Sequence, residues 1–358
     1  MSDSGARILF VPVSGRFGMG EFARCSAIAR AVQLRWPAAG IRFVLSREAP
    51  YAGGTSFPVT LVPSSATFHS AEVVQLIRTW RPQVVVFDNA GRTAQLRAAH
   101  RAGARVVYIS ARRRQRRKAF RLRWMRLIDE HWIAYPEFIA GGLTFIERLK
   151  HRLLRRPAVR YLDVIFSRAP AAPAAPGGGE RAAAPERGDF VLVVPGGGTG
   201  HPGAEDASEQ FLAAAEALAA GGSRIRYVGP PRAGTPAAGP RDLQVLGPLP
   251  QTELAELMRR ARLIVVNGGS TLLQAIACGA ACIAVPIAGD QRERIRRCVA
   301  AGVAVESPLA ASEIVARSQA LLRDDAGRAA LAQRAQGLAL ADGLEVALRA
   351  LSPFMEAP

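Results

Sequence analysis

The chain has 358 residues, 49% of them apolar and 6% aromatic, with 47 basic against 29 acidic side chains and a formal net charge of +18. That length exceeds the roughly 100–200 residues of an ordinary domain, so two domains are expected, and the apolar fraction excludes wholesale disorder. Residues 1–188 hold 31 basic and 12 acidic groups and residues 189–358 hold 16 and 17, an asymmetry that a coding bias toward arginine does not produce, so one half is expected to meet something anionic.

In chain order, Met1–Ala6 is polar, and the run Ile8–Val13 is too short for the apolar core of a signal peptide. Short β-rich runs follow at Ile8–Val13, Ile41–Leu45, Val59–Val62, Val84–Phe87 and Val106–Ile109. A second series runs through Phe190–Val194, Ile225–Val228, Leu243–Leu246, Leu263–Val266 and Cys282–Val285. Helix-length segments separate them. Continuous Val/Ile/Leu runs joined by helical crossovers are the pattern of parallel strands covered on both faces. The fold class expected is α/β, with two Rossmann-like doubly wound domains facing across a cleft. The boundaries read as an N-terminal domain over 1–166, an Ala/Pro/Gly-rich linker over 167–188, and a C-terminal domain over 189–358. The last of these ends in helices expected at Ser312–Leu322, Ala326–Leu340 and Gly343–Leu351. Leu272–Ala288, broken by Gln274, Gly279 and Pro286, reads as helix, turn and buried strand rather than a membrane span. Cys25, Cys278, Cys282 and Cys298 form no Cys-x-x-Cys pair, which fits a reduced, cytoplasmic compartment.

In doubly wound folds ligands sit beyond the carboxyl ends of the strands, so the loops there carry the chemistry. The first runs from Ser14 to Cys25 and opens a helix whose Phe22, Cys25, Ala29 and Val32 share a face. Gly18-x-Gly20-x-x-Ala23 matches a dinucleotide fingerprint only formally, because four residues separate Val13 from Gly18 and the nearest acid at the expected distance is Glu48. Glu21 is either a helix-favouring first-turn acid or a functional carboxylate. Asp88-Asn89 ends the run Val84–Phe87, where the aspartate serves either as a cap or as an acid that orients a base or an acceptor hydroxyl.

The third loop, Pro195-Gly-Gly-Gly-Thr-Gly-His201, follows a strand and precedes a helix expected at Ala204–Ala220. Gly197, Gly198 and Thr199 allow close backbone approach to a phosphate, and His201 is able to donate to a diphosphate. The loop lacks the Gly-Lys-Ser/Thr ending of an NTPase. The fourth is Asn267-Gly268-Gly269-Ser270-Thr271-Leu-Leu-Gln274, followed by the strand Cys282–Val285 and Pro286-Ile-Ala-Gly-Asp290-Gln291. It presents the amides and hydroxyls of Ser270 and Thr271 to an anion, with Gln274 one turn on. Asp290 and Gln291 together suit vicinal sugar hydroxyls, because a carboxylate accepts twice and an amide both gives and takes.

This ordered set resembles the donor signature of the GT-B glycosyltransferases. Within that superfamily it is similar to the N-acetylglucosaminyltransferase that makes lipid II and to the UDP-sugar hydrolase of pseudaminic acid synthesis. Gly18-Met-Gly20-Glu21-Phe-Ala-Arg24-Cys25 resembles the hydrolase's Gly-x-Gly-His-x-x-Arg-Cys, and Gly268-Gly269-Ser270-Thr271-Leu272 its second loop. The resemblance implies an acceptor on the N-terminal domain and a nucleoside-diphosphate sugar, UDP-linked, on the C-terminal one. Ser270 and Thr271 would then meet the diphosphate, Gln274 the ribose, and Asp290 and Gln291 the sugar. Glu21 stands where the hydrolase has histidine, and Gln274 where the family has glutamate. These departures leave room for a carboxylate base, Glu21, helped by Asp88, in an inverting transfer. Hydrolysis of the nucleotide sugar, or binding without catalysis, remain the alternatives. The resemblance implies no cofactor and no metal.

Within the basic half, Arg112–Arg126 packs nine cations into 15 residues, with Phe120, Trp124 and Leu127 at helical spacing. It is expected to dock on anionic lipid headgroups with its aromatics at the interface, placing the protein peripherally on the inner membrane. No nucleic-acid motif accompanies it, so no nucleic-acid partner is expected.

Overall fold

The computed structural model describes residues 5–16, 19–166, 188–196, 206–230 and 242–356. The chain divides into two compact units, one of Met1–Ser167 with Ala341–Pro358 and one of Arg168–Leu340.

The first unit runs β1 (Arg7–Pro12), α1 (Gly20–Arg35), β2 (Gly40–Ser46), β3 (Val59–Val62), α2 (Ser70–Trp80), β4 (Val84–Asp88), α3 (Thr93–Arg101) and β5 (Arg105–Ser110). It continues through α4 (Arg113–Ala119), α5 (Leu122–Met125), β6 (Glu130–Ile133), α6 (Glu137–Ala140), α7 (Phe145–Leu154) and β7 (Ala158–Tyr161). The seven strands form one parallel sheet in the order β3-β2-β1-β4-β5-β6-β7. Side chains alternate across it. Ile8 and Phe10 join the core under α1, while Leu9 and Val11 join the opposite core with Val73, Ile77 and Leu96 of α2 and α3.

The second unit contains β8 (Val191–Val194), α8 (Ala207–Ala220), β9 (Ile225–Val228), β10 (Leu243–Leu246), α9 (Gln251–Arg260) and β11 (Leu263–Asn267). After these come α10 (Ser270–Ala277), β12 (Cys282–Val285), α11 (Gly289–Ala300), β13 (Val305–Glu306), α12 (Ala311–Arg323) and α13 (Asp325–Gly337). Its parallel sheet has the order β10-β9-β8-β11-β12-β13, the same winding as the first. All ten strands expected from the sequence are present. Strands β6, β7 and β13 are additional to those ten.

The last helix, α14 (Gly343–Met355), departs from the expected boundary at 189–358, because it belongs to the first unit. Val164 pairs with Asp342, and Ala347, Ala350 and Leu351 share the core of α1. The reason is an apolar helix face whose complement lies on α1 rather than on its neighbours in sequence. The expected linker over 167–188 lies outside the described residues except for Gly188. No helix among the described residues is long and apolar enough to cross a membrane.

Candidate active site

Each sheet reverses its winding direction once, between β1 and β4 in the first unit and between β8 and β11 in the second. The loops leaving two such neighbouring strands turn in opposite directions and open a crevice at their carboxyl ends.

In the first unit the two loops at that point are tied together by α1. Glu21, in the first turn of α1, accepts a hydrogen bond from Asn89 Nδ2 at 2.8 Å. Asn89 sits just past β4 with φ 51°, a left-handed conformation that asparagine tolerates better than most residues. Its Oδ1 accepts from Ala111 N–H at 2.9 Å, which fixes the amide and leaves Nδ2 to orient the carboxylate. One turn further along α1, Arg24 grips Asp88 through two bonds of 2.7 and 2.8 Å. Asp88 is fully buried and takes a weak third contact from Cys25 Sγ at 3.7 Å. Burial lifts the Asp88 carboxyl to about 6, against the pull of Arg24. Asp88 is thus engaged by Arg24, and the residue that touches Glu21 is Asn89. Gly20 opens α1, and Gly18 lies outside the described residues.

In the second unit Asn267, the last residue of β11, plays the matching part. Its Nδ2 donates to the Pro195 carbonyl after β8 at 2.5 Å, and its Oδ1 accepts from Gly269 N–H at 2.7 Å. Gly196 has φ 91°, and a Cβ there would collide with the Asn267 amide, so glycine is required on both counts. At Gly268 a Cβ would lie 2.6 Å from Ile295 Cδ1, which holds this turn tight against α11. Helix α10 then starts at Ser270 with no side-chain cap on its first N–H groups. Ser270 is exposed and Thr271 half-buried. An uncapped helix start behind two glycines offers amide donors and partial positive charge to an anion.

Of the expected sugar and ribose contacts, Gln291 is differently employed and Gln274 is largely buried. Gln291 is 5% exposed, and its Oε1 accepts from Gly268 N–H at 3.1 Å and Ile287 N–H at 3.0 Å. It braces two loops from behind, because its place in α11 turns it toward the core. Gln274 is 7% exposed within α10, which leaves little of its amide open to a ligand. Asp290, in contrast, is 55% exposed at the head of α11, 3.6 Å from Arg294. Buried Arg294 also donates to the Gly268 carbonyl, so it links the glycine turn to Asp290. Gly197, Gly198, Thr199 and His201 lie outside the described residues.

Arg294 is not among the residues to which the sequence points, and Asn89 and Asn267 enter there only as members of their loops, with no role of their own. For the two asparagines a signal existed, since each is a polar residue closing an apolar strand run. Arg294 gave none among so many arginines.

The basic segment also differs from expectation. It forms two short helices, α4 and α5, and its aromatics point inward: Phe120 is 3% and Trp124 4% exposed. Trp124 meets Tyr108 edge-on at 5.3 Å and donates to Thr93 Oγ1 at 3.0 Å. Helical spacing defined an apolar face but not its direction, and the fold uses that face to cover β5. Arg116 is buried as well, bonded to the carbonyls of Ala140, Gly141 and Gly142 and to Glu147.

Residues 238–337 match the family model of "Glycosyl transferases group 1", a stretch that includes the glycine turn, α10 and Asp290. No curated protein sequence matches the chain. Among solved structures, MurG of Acinetobacter baumannii is 14% identical with a TM-score of 0.62, over 97% of this chain and 99% of that one. The spinosyn rhamnosyltransferase SpnG complexed with thymidine diphosphate is 17% identical with a TM-score of 0.60, over 98% and 100%. LpCGTa in complex with UDP is 13% identical with a TM-score of 0.61, over 98% and 99%. The chain has the GT-B glycosyltransferase fold, and the fold and the family match together support a transferase.

Proposed function

We propose that this GT-B protein transfers a sugar from a nucleoside-diphosphate donor to a hydroxyl-bearing acceptor associated with the cell envelope, with inversion at the anomeric carbon. The observation that carries this reading is the uncapped start of α10 behind Gly268-Gly269, at the switch point of the second sheet and inside the family match. The amides and hydroxyls of Ser270 and Thr271 receive the diphosphate, and exposed Asp290 accepts from sugar hydroxyls. These donors stabilise the charge that grows on the diphosphate as its bond to the anomeric carbon breaks. Glu21, oriented by Asn89, takes the proton from the acceptor hydroxyl as that oxygen attacks. Asp88 keeps Arg24 and the start of α1 in place and so supports Glu21 indirectly. UDP and thymidine diphosphate, each bound by a protein of this fold, are the nucleotides to test first.

An acceptor at an anionic membrane surface is supported by two features of the first unit. The cations of residues 112–126 other than Arg116 and Lys118 are exposed. On α7, Phe145, Ile146, Leu149 and Leu153 are 73, 62, 47 and 73% exposed, on one helix face beside exposed Arg148 and Arg152. Apolar side chains flanked by arginines suit the headgroup boundary of a bilayer.

The test supplies labelled UDP- and thymidine diphosphate-sugars with and without membrane lipids. Transfer predicts a labelled lipid product, and Glu21→Gln is expected to lose about 10²–10⁴-fold in turnover. Donor binding by the variant, read from the ligand-induced rise in melting temperature, should persist. Free sugar released at the same rate in water alone would favour the second reading, nucleotide-sugar hydrolysis, which rests on the likeness of Gly20, Arg24 and Cys25 to a hydrolase loop.

A further inference from the structure

The first unit holds a second site of a different kind. Arg92, Arg113, Arg114, Arg117, Lys118 and Arg121 line a cavity of about 480 Å³, and no carboxylate lines it. Arg92 comes from the loop after β4, and the others from α4 and the turn into α5. We propose that this cavity binds a ligand carrying clustered phosphates, a diphosphate or an array of phosphate headgroups. Neither Glu21 nor any residue of the second unit lines it, so a soluble diphosphate goes beyond the proposed transfer, while headgroup binding deepens the membrane reading above and rests on it.

The argument starts from the contrast along α4. Where an arginine of this helix is structural, the fold supplies its counter-charge: Arg116 is paired with Glu147 at 2.8 Å and its two terminal nitrogens also donate to three carbonyls. Its neighbours around the cavity are given no such acid. Six like charges converging without an anion repel one another, and the molecule carries that cost in the free state. Lys118 shows it: burial, then Arg114, Arg92 and Arg121, make its proton easier to lose. A multiply charged anion removes the repulsion, and a single phosphate would leave most of it.

The chemistry of the lining supports phosphate in particular. Five of the six groups are guanidinium forks, which bind phosphate oxygens two at a time. One wall is braced in advance. Arg92 Nε donates to the Thr67 carbonyl at 3.2 Å, and its guanidinium lies 5.7 Å from the Phe68 ring centre. Its backbone N–H donates to Gln95 Oε1 at 3.0 Å, and fully buried Gln95 is itself anchored on the Ala66 carbonyl.

The experiment titrates sodium pyrophosphate by calorimetry into the full chain and into Asn267→Ala, in which the donor loop is untied. Binding at the cavity is the part that Asn267→Ala leaves unchanged, so it is read separately from the donor reading. Pyrophosphate is expected to bind more tightly than sulfate. Arg114→Ala with Arg117→Ala should weaken it by about tenfold per arginine, the scale of a charged hydrogen bond. Arg123→Ala with Arg126→Ala removes the same charge from exposed positions outside the cavity and should leave binding within about twofold. Equal losses in the two pairs, or sulfate binding as tightly as pyrophosphate, would overturn the proposal by showing diffuse attraction only. Phosphatidylcholine vesicles with and without phosphatidic acid separate the two sources. Sedimentation of the protein with phosphatidic acid, reversed by pyrophosphate, identifies lipid headgroups. Pyrophosphate binding with the protein left in solution identifies a soluble diphosphate.

Discussion

Removing Arg24 should be the most damaging single truncation near Glu21, and its cost should depend on pH in a defined direction. In Arg24→Ala the carboxylate of Asp88 stays fully buried, with only the weak Cys25 thiol contact left. Breaking a buried ion pair from one side costs about 3–5 kcal/mol, a large part of the ~5–15 kcal/mol that holds a domain folded. The carboxyl already binds its proton more tightly when folded, at about 6 against an ordinary 3.8. Over that interval the folded chain holds more proton than the unfolded one, so this group's contribution to stability falls as pH rises. Without Arg24 the folded value moves higher still. The deficit of the variant relative to the wild type should therefore be greatest above neutrality and shrink as pH falls toward 5. Buried His131, pushed down to about 3 by burial and by Arg116, acts with the opposite sign. It is common to both proteins and cancels in the difference. The assay is denaturant unfolding followed by tryptophan fluorescence at pH 5 and pH 8. All four tryptophans, Trp36, Trp80, Trp124 and Trp132, lie in the first unit, so the signal reports that unit alone. Arg24→Ala with Asp88→Asn should recover much of the loss. A deficit under ~1 kcal/mol, or one equal at both pH values, would refute the reasoning.

Three further outcomes follow from the geometry. Asn267→Ala unties Pro195 from Gly269 and should weaken UDP or thymidine diphosphate binding by about tenfold or more, read by calorimetry. Gln291→Ala leaves the buried Gly268 and Ile287 amides short of their shared acceptor and should destabilise the second unit by about 1–3 kcal/mol, seen by differential scanning calorimetry. Because Gln291 acts from behind, the relative preference among donor sugars should not change, and a switch in preference would place it in contact with the sugar. Leu149→Glu with Leu153→Glu on the exposed face of α7 should leave melting unchanged and reduce sedimentation with anionic vesicles. Undiminished sedimentation would remove α7 from the membrane reading.

The two sheets use an asparagine in the same way. In each, the last residue of a central strand, or the one after it, reaches across the reversal of winding and pins the neighbouring loop. A buried polar group is tolerated there because both its amide oxygen and its amide nitrogen are hydrogen-bonded.

Much of this architecture is legible in the linear order of residues. The ten apolar runs, the glycine turn at 268–269 and the helix after it depend on local pattern: alternation, run length, and the few residues able to occupy a turn. Local pattern fails where a partner distant in sequence decides the outcome. Strand β6 contains Glu130 and His131, too polar to suggest a buried strand, and it is buried because Arg160 of β7 neutralises Glu130 and Ser110 bonds His131. The inward turn of Phe120 and Trp124, the return of α14 to the first unit, and the capture of Asp88 by Arg24 across 64 residues of chain are of the same kind. Spacing defines which side chains share a face, and only the folded chain determines what that face meets, because burial free energy depends on the complement it finds.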